Sequence, residues 1–247
     1  MKIHVLTMWH NEAALAPFFL SHYSDADKIK IIMGSDTTDE SREIIAEYPN
    51  AEIVNLEFPG GLLDDDFKIA AYNAMVAVED CDWLFALDAD EFICPLGSPA
   101  IDVREYLAQV DGNLLWATMY QVYRHSTDGP LNPFRPAFLQ RRHGNPVPHH
   151  VKPVVVQPGP HLRWAVGNHR YIPHPEIREG AGGFAGSHWA YADPDIAIAR
   201  YVHGRRDRMS KANIERRHGW HTFDLTEDSI RAECRAHEND PVVIGEE

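Results

Sequence analysis

One run of residues, from Trp83 to Phe92, strongly limits the folds that this chain of 247 residues can adopt. The five apolar residues Trp83 to Leu87 follow one another without the alternation of a half-exposed strand. This pattern predicts a strand that is buried on both faces, and such strands lie inside the parallel sheets of α/β proteins. We therefore expect this strand at the centre of a mostly parallel sheet.

Two carboxylates follow that strand directly. If the strand's period of two continues, Asp88 and Asp90 point to one side and Ala89 points to the other. Open α/β sheets bind ligands at the carboxyl ends of their strands. Paired carboxylates at a buried strand end are unfavourable unless a positive charge joins them, and a divalent cation that carries a diphosphate would supply one. The alternative is that both residues only cap a turn.

Because the two carboxylates repel each other when unpaired, we expect Asp88→Asn or Asp90→Asn to leave the fold intact.

The first 95 residues alternate between strand and helix patterns, which predicts βαβ units with right-handed crossovers. Predicted strands cover residues 3–8, 29–33, 52–58 and 83–87, and predicted helices cover 12–22, a short segment within 37–48, and 69–78.

The pattern changes after Pro95. We expect a helix over 102–110, strands over 114–123 and 136–141, and long loops over 142–175 with one firm strand at 154–156. Three helices, over 195–206, 212–219 and 227–237, are predicted to follow.

Composition narrows the classes of partner. The sequence has 23 Lys and Arg against 37 Asp and Glu, a formal charge of −14 that disfavours nucleic acid as a partner. Cys81, Cys94 and Cys234 are odd in number and lack C-x-x-C spacing, so they predict neither a disulfide framework nor a Cys-based zinc site. We find no apolar run near the ~20 residues of a transmembrane segment, and we expect a cytoplasmic protein.

Several short motifs resemble those of glycosyltransferases with the GT-A fold. The segment from Leu87 to Ile93 resembles the D-x-D-E-F segment of the family 2 and family 92-like groups. The other segments that resemble these groups are Trp9 to Glu12, Asp36 to Asp39, Asp65 to Lys68, and Ser187 to Tyr191. The motifs cover most of the first 95 residues and one position near 190, and between these regions the resemblance is thin.

The resemblance implies an α/β fold of the GT-A (Rossmann-like) type. Its central sheet would be mostly parallel, with helices on both faces and a helical C-terminal tail. It also implies one domain over residues 1–247, made of a nucleotide-sugar-binding half (1–95), an acceptor-side half (96–190) and the tail (191–247).

The same resemblance implies a site for a nucleotide sugar and a metal ion. The residues implied for the nucleotide sugar are Asn11, Glu12, Asp36, Asp66, Lys68 and Asp88. Those implied for Mn²⁺ (or Mg²⁺) are Asp88, Asp90 and His188, a mixture of oxygen and nitrogen ligands that suits Mn²⁺. Three glycines lie in the six residues before His188, and we expect a loop there that closes over the donor.

A basic concentration stands out near the C-terminus of this acidic chain. It comprises Arg200, Arg205, Arg206, Arg208, Lys211, Arg216 and Arg217. These residues either form a solvated helix face or neutralise a diphosphate or an anionic acceptor.

The function implied by the resemblance is metal-dependent glycosyl transfer. The donor would be a nucleotide-diphosphate sugar, with UDP as the nucleotide, and the acceptor a glycan or a lipid-linked glycan in polysaccharide biosynthesis. An inverting hexosyltransferase needs a general base, for which Glu176, Glu179 and Asp128 are candidates, whereas a retaining enzyme would not need one.

Three other functions are compatible with parts of the sequence. A nucleotidyltransferase on the same fold would have a Gly-rich phosphate loop after the first strand, which this chain lacks. A non-haem iron oxygenase would use pairs such as His10 with Glu12 or His174 with Glu176, but that class needs a double-stranded β-helix. The third alternative is a nucleotide-sugar-binding module without catalytic activity.

Overall fold

The computed structural model describes residues 1–205, 208–219 and 222–244, without the side chains of 147–149. Arg206 of the predicted basic group lies outside the described residues. The strands within the described ranges are β1 (Ile3–Trp9), β2 (Lys28–Gly34), β3 (Ala51–Leu56), β4 (Trp83–Asp88), β5 (Glu91–Pro95), β6 (Leu114–Tyr123), β7 (His143–Val156) and β8 (Phe184–Tyr191).

These strands form one sheet in the order β3-β2-β1-β4-β7-β6-β8-β5. Strands β3, β2, β1 and β4 are parallel, and the register pairs Met8 of β1 with Asp88 of β4. Strand β7 runs antiparallel to both β4 and β6, β6 is parallel to β8, and β5 is antiparallel to β8. Strand β4, which contains the apolar run from Trp83 to Leu87, therefore lies inside the sheet, as predicted.

Helices pack around this sheet within the described residues. They are α1 (Ala16–His22), α2 (Ser41–Ala46), α3 (Asp65–Val76), α4 (Val103–Leu107), α5 (Pro194–Ile198), α6 (Lys211–Arg216) and α7 (Glu227–Ala236), with a π-helix at Ala199–Arg205.

Strand β1 shows how the two faces are filled. Its Val5 packs in one hydrophobic cluster with Phe19 of α1, and its Leu6 packs in another with Tyr72 and Val76 of α3. Successive strand residues point to opposite faces, so both faces of a central strand need apolar cover. The predicted α/β fold, with a mainly parallel sheet, helices on both faces and a helical tail, is confirmed.

Two helices begin at residues other than the predicted ones, because a proline or a capping side chain fixes the first turn. Helix α1 begins at Ala16 rather than at residue 12, with Pro17 in its first turn. Helix α3 begins at Asp65, before the predicted start, because the side chain of Asp64 caps it by accepting a hydrogen bond from the Phe67 amide (3.0 Å).

The second half of the chain differs more from the prediction. Residues 136–141 are not a strand but contain a 3₁₀ turn at Ala137–Leu139. Residues 143–156, predicted as mostly loop, form the long strand β7, and its pairing with β6 absorbs two register shifts. Strand β5 was not predicted, because its apolar residues Phe92 to Cys94 are few and directly follow the carboxylates Asp88, Asp90 and Glu91.

Candidate functional site

A cavity of 1440 Å³ opens at the carboxyl ends of β1 and β4, the edge of the sheet where the sequence predicts a ligand site. The predicted residues that line it are Asn11, Glu12, Lys68, Asp88, Asp90 and His188. Residues from β7 and the π-helix complete its wall, including Lys152 and Arg200. The topology thus brings most of the predicted donor site to one cavity.

Asp88 is held by two lysines. Its Oδ1 accepts from Lys68 Nζ at 3.0 Å and its Oδ2 from Lys152 Nζ at 2.9 Å. Burial opposes the ionisation of Asp88, but the charges of Lys152 and Lys68 outweigh burial and hold the pKa of this carboxyl far below its usual range. Asp88 is therefore an ionised carboxylate with two cationic partners.

Lys152 of β7 is a site residue that the sequence analysis missed. It is 5% exposed, and its ammonium also donates to Glu91. Burial lowers the pKa of this amine, whereas Asp88 and Glu91 raise it, and the net effect lies above the usual value. A lysine among the valines of a buried strand is a visible sequence signal, since such a charge requires a partner.

Arg200 of the π-helix joins two further carboxylates. Its Nη1 lies 2.5 Å from Asp90 Oδ2, and its Nε lies 2.9 Å from Glu12 Oε2. Burial raises the pKa of Glu12 to about 7 even though Arg200 opposes this, and Asp90 adds to the rise. Burial also opposes the ionisation of Asp90, but Arg200 and His188 hold its pKa well below the usual value.

These cations overturn the expectation that Asp88→Asn or Asp90→Asn is harmless to the fold. Neither carboxylate is unpaired, and removal of one partner from a buried ion pair leaves an uncompensated charge. We now expect both substitutions to destabilise the chain.

His188 of β8 lies beside Asp90, with Nε2 3.3 Å from Asp90 Oδ2. Its Nδ1 is 2.8 Å from Gln121 Oε1 and donates to this oxygen, so Nε2 faces Asp90 and binds either a proton or, in the neutral ring, a cation shared with that carboxylate. This second hydrogen bond is the usual way to orient a metal-binding imidazole. His188 and Asp90 therefore fit a divalent ion in both donor chemistry and orientation.

Asp88 does not join His188 and Asp90 in one compact group. Within the described ranges, one set of three His, Cys, Asp or Glu side chains has ligand atoms within 4.8 Å of one another, and it lies elsewhere, at His4, Glu79 and Cys81. Asp88 instead contacts Lys68 and Lys152.

The other predicted donor residues have partners of their own. Asp36 lies next to two cavity residues, Arg208 at 2.7 Å and His10 at 3.5 Å. Asn11 takes a left-handed backbone conformation (φ 52°), and its side-chain oxygen accepts from the Thr38 amide at 2.8 Å. Asp66 forms an ion pair with Arg216 and does not line the cavity.

The three candidate bases lie outside the cavity. Glu176 is exposed near His161 (3.7 Å), Glu179 accepts from the Tyr171 hydroxyl at 2.8 Å, and Asp128 caps the His125 amide at 2.9 Å. A general base must come within hydrogen-bond reach of the proton that it removes. The geometry therefore gives no support to any of the three as a base.

The glycines before His188 do not form the expected closing loop. Gly186 lies inside β8, where an added Cβ would come within 2.6 Å of the Phe92 carbonyl oxygen and 2.8 Å of Met119 Sδ. Strand β8 pairs His188 with Glu91 on one side and with Gln121 on the other. His188 is thus fixed by two neighbouring strands, and Gly186 serves close strand packing.

The basic group divides between the cavity and its surroundings. Arg200, Arg205, Arg208 and Arg217 line the cavity. Lys211 is exposed and forms an i,i+4 pair with Glu215. Four guanidinium groups at one cavity favour the anion-binding interpretation over a purely solvated face.

Comparison with known proteins gives fold-level likenesses. No family model matches the chain, and no curated protein matches it. The structure of S. aureus TarS 1–349 is similar, with 12% identity, a TM-score of 0.42, and coverage of 95% of this chain and 71% of that one.

A second similar structure is glucosyl-3-phosphoglycerate synthase from Mycobacterium tuberculosis in complex with Mn²⁺, UDP and phosphoglyceric acid. It shares 18% identity at a TM-score of 0.34, over 49% of this chain and 43% of that one. Likenesses at this level carry no argument about activity.

Within the described ranges, the chain contains no helix that is long and apolar enough to cross a bilayer.

Proposed function

We propose that this chain is a glycosyltransferase that uses a nucleotide-diphosphate sugar, with UDP as the nucleotide. The observation that carries the proposal is the charge network at the cavity. Lys68, Lys152 and Arg200 pair with Asp88, Asp90, Glu91 and Glu12 at the carboxyl ends of parallel strands. A ligand for this cavity must carry negative groups for the lysines and the arginine and a positive group for the carboxylates.

A diphosphate bound with a divalent ion matches both signs. The phosphate oxygens would accept hydrogen bonds from the lysines and the arginine, and carboxylate oxygens would coordinate the ion. Each charged side chain would thus exchange its protein partner for a group of the ligand. A divalent ion offsets the charge of the diphosphate in a nucleotide sugar, so the exchange adds no net charge to the three cations and four carboxylates of the network. Three further arginines of the basic group at the cavity, Arg205, Arg208 and Arg217, would add donors for the phosphates.

We propose that Asp90 and His188 hold Mn²⁺ or Mg²⁺, and that Asp88 joins them when it is released from its lysines. The fit rests on the orientation of His188 by Gln121. Such an ion acts as a Lewis acid for the leaving nucleoside diphosphate. Lys68 and Lys152 would stabilise the negative charge that develops on the same leaving group.

The finer parts of the proposal concern the donor nucleoside and the acceptor. Asn11, Glu12 and Asp36 follow β1 and β2 and would bind the nucleoside, whereas Asp66, which pairs with Arg216 outside the cavity, has no part in the proposed donor site. The acceptor would be a glycan or a lipid-linked glycan in polysaccharide biosynthesis, and we propose inverting transfer of a hexose in the cytoplasm. Nucleic acid has no part in this proposal, since the sequence carries a formal charge of −14. We propose that residues 1–247 act as one domain.

Isothermal titration calorimetry with UDP and Mn²⁺ tests the proposal. Wild-type protein should bind UDP more tightly with Mn²⁺ than without it, and Asp90→Asn and His188→Ala should each weaken this binding at least about tenfold. Asp111→Asn is the matched control, because Asp111 is fully exposed and only 3.6 Å from Arg178 at the surface. Melting curves without ligand establish that each variant is folded.

Two results would change the conclusion. If wild-type protein binds no UDP at millimolar concentration, with or without Mn²⁺, the proposal of a donor site is wrong. Protein that binds UDP-sugars tightly but releases no UDP with any glycan acceptor would instead be a binding module. The anomeric configuration of a product, read by NMR, decides between inversion and retention.

A further inference from the structure

A second cluster of chemically reactive side chains lies at the opposite edge of the sheet from the cavity. His4 is the second residue of β1, whereas the cavity begins at Met8 of that strand, roughly 13 Å further along at the usual rise per residue. Glu79 and Cys81 lie between α3 and β4. The cluster therefore joins the starts of two adjacent central strands and has no part in the donor site.

The cluster combines three kinds of ligand atom. His4 Nδ1 lies 2.6 Å from Glu79 Oε1, and the ligand atoms of His4, Glu79 and Cys81 all lie within 4.8 Å of one another. The side chains of His4 and Glu79 are 8% and 2% exposed. An imidazole and a carboxylate alone would form an ordinary buried ion pair. The thiol of Cys81 adds a third possible metal ligand, so that a nitrogen, an oxygen and a sulfur atom lie together.

We propose that His4, Glu79 and Cys81 form a Zn²⁺-binding site, with water as the fourth ligand. Zn²⁺ accepts imidazole, carboxylate and thiolate ligands in tetrahedral geometry, whereas Mg²⁺ and Ca²⁺ prefer oxygen alone. The ion takes the place of the hydrogen bond between His4 and Glu79, the imidazole binds through Nδ1 in its neutral form with its proton on Nε2, and the Cys81 thiol gives its proton to solvent as it binds.

The surroundings support the carboxylate in this role. Lys30 Nζ donates to Glu79 Oε2 at 2.7 Å, which orients the carboxylate in the way that outer hydrogen bonds orient metal ligands. Without an ion, burial and the charge of Glu79 raise the pKa of the Cys81 thiol to about 12, so this cysteine is an inert thiol until a cation joins it.

Binding would have a structural consequence. The ion would connect β1 to the segment that leads into β4, and it would bind the folded chain in preference to the unfolded one. Zn²⁺ should therefore raise the melting temperature by mass action, independently of any nucleotide.

Titration with Co²⁺, a spectroscopic substitute for Zn²⁺, is the direct test. We expect one thiolate-to-cobalt charge-transfer band in the near ultraviolet, together with tetrahedral d–d bands in the visible. Cys81→Ser should abolish the charge-transfer band and weaken Co²⁺ binding at least about tenfold, and Glu79→Gln should weaken it while keeping the hydrogen bonds to Lys30.

Two controls separate this site from the proposed donor site. The titration in a His188→Ala background should still give the charge-transfer band, because Asp90 and His188 supply no sulfur. Cys94→Ser, at another buried cysteine, should leave the band unchanged. Wild-type protein that gives no thiolate band at millimolar Co²⁺, or a band that survives Cys81→Ser, would overturn the proposal and leave His4 and Glu79 as an ion pair.

Discussion

At the scale of single residues, buried ion pairs dominate the candidate site. Lys152 lies between Asp88 and Glu91, and Arg200 lies between Asp90 and Glu12. A buried ion pair adds little net stability, but loss of one member typically destabilises a protein by about 3–5 kcal/mol. These residues are therefore best explained by a ligand that uses their charges, rather than by a need for stability.

Glu12 gives a prediction about pH. Its pKa lies at about 7 in the folded chain against the ordinary 4.5, so the folded state holds a proton that the unfolded state has lost between these values. Stability attributable to Glu12 is therefore lost as the pH rises through this window. From about pH 4 to about pH 8, Glu12→Gln should gain up to about 3 kcal/mol in unfolding free energy relative to wild type.

Urea unfolding of both proteins at several pH values measures this gain. Glu215→Gln is the control, because Glu215 is exposed on α6 and its substitution should give a difference that does not vary over the same window. A constant offset between Glu12→Gln and wild type would show that folding does not change the pKa of Glu12.

At the scale of elements, the placement of His188 depends on β8 and its neighbours. Strand β8 lies between β6 and β5, and the absence of a side chain at Gly186 lets the β5 backbone and Met119 approach. A rigid strand, rather than a closing loop, thus sets the distance from His188 to Asp90.

Gly186→Ala tests this interpretation. The added methyl group would meet the Phe92 carbonyl oxygen at 2.6 Å, and overpacking of this kind typically lowers stability by about 1–3 kcal/mol. Gly129→Ala is the matched control, because no atom lies within 4 Å of the position that its added methyl group would take, and it should change stability by less than about 0.5 kcal/mol. Urea unfolding measures both variants. If Gly186→Ala leaves the unfolding free energy unchanged, the interpretation of Gly186 as a close-packing position is wrong, and a flexible segment before His188 is favoured.

At the scale of the whole molecule, one sheet joins both halves of the chain. Strand β4 has β7 as its neighbour, and β5 has β8, and both of these partners come from beyond residue 95. A fragment of residues 1–95 would therefore expose the apolar edge of β4 and leave β5 without its partner.

We expect the fragment 1–95 to show no cooperative thermal transition by circular dichroism, whereas the full chain should show one. A fragment that unfolds cooperatively and stays monomeric would instead divide the chain into separate domains.

The sequence by itself determined the features that depend on neighbouring residues. The apolar run before Asp88 specified a buried central strand, and the βαβ alternation of the first 95 residues specified helices on both faces of a parallel sheet. Because strands of such a sheet end at one edge, the sequence also placed Glu12, Asp88 and Asp90 at one cavity.

Only the tertiary structure decided which charges meet there. Lys152 and Arg200 lie 64 and 110 residues from the aspartates that they bind, and no local pattern relates positions so far apart. Their pairing follows from the insertion of β7 next to β4 and from the position of the π-helix, both products of long-range packing. A buried carboxylate demands a counter-charge, but the fold alone selects the residue that supplies it.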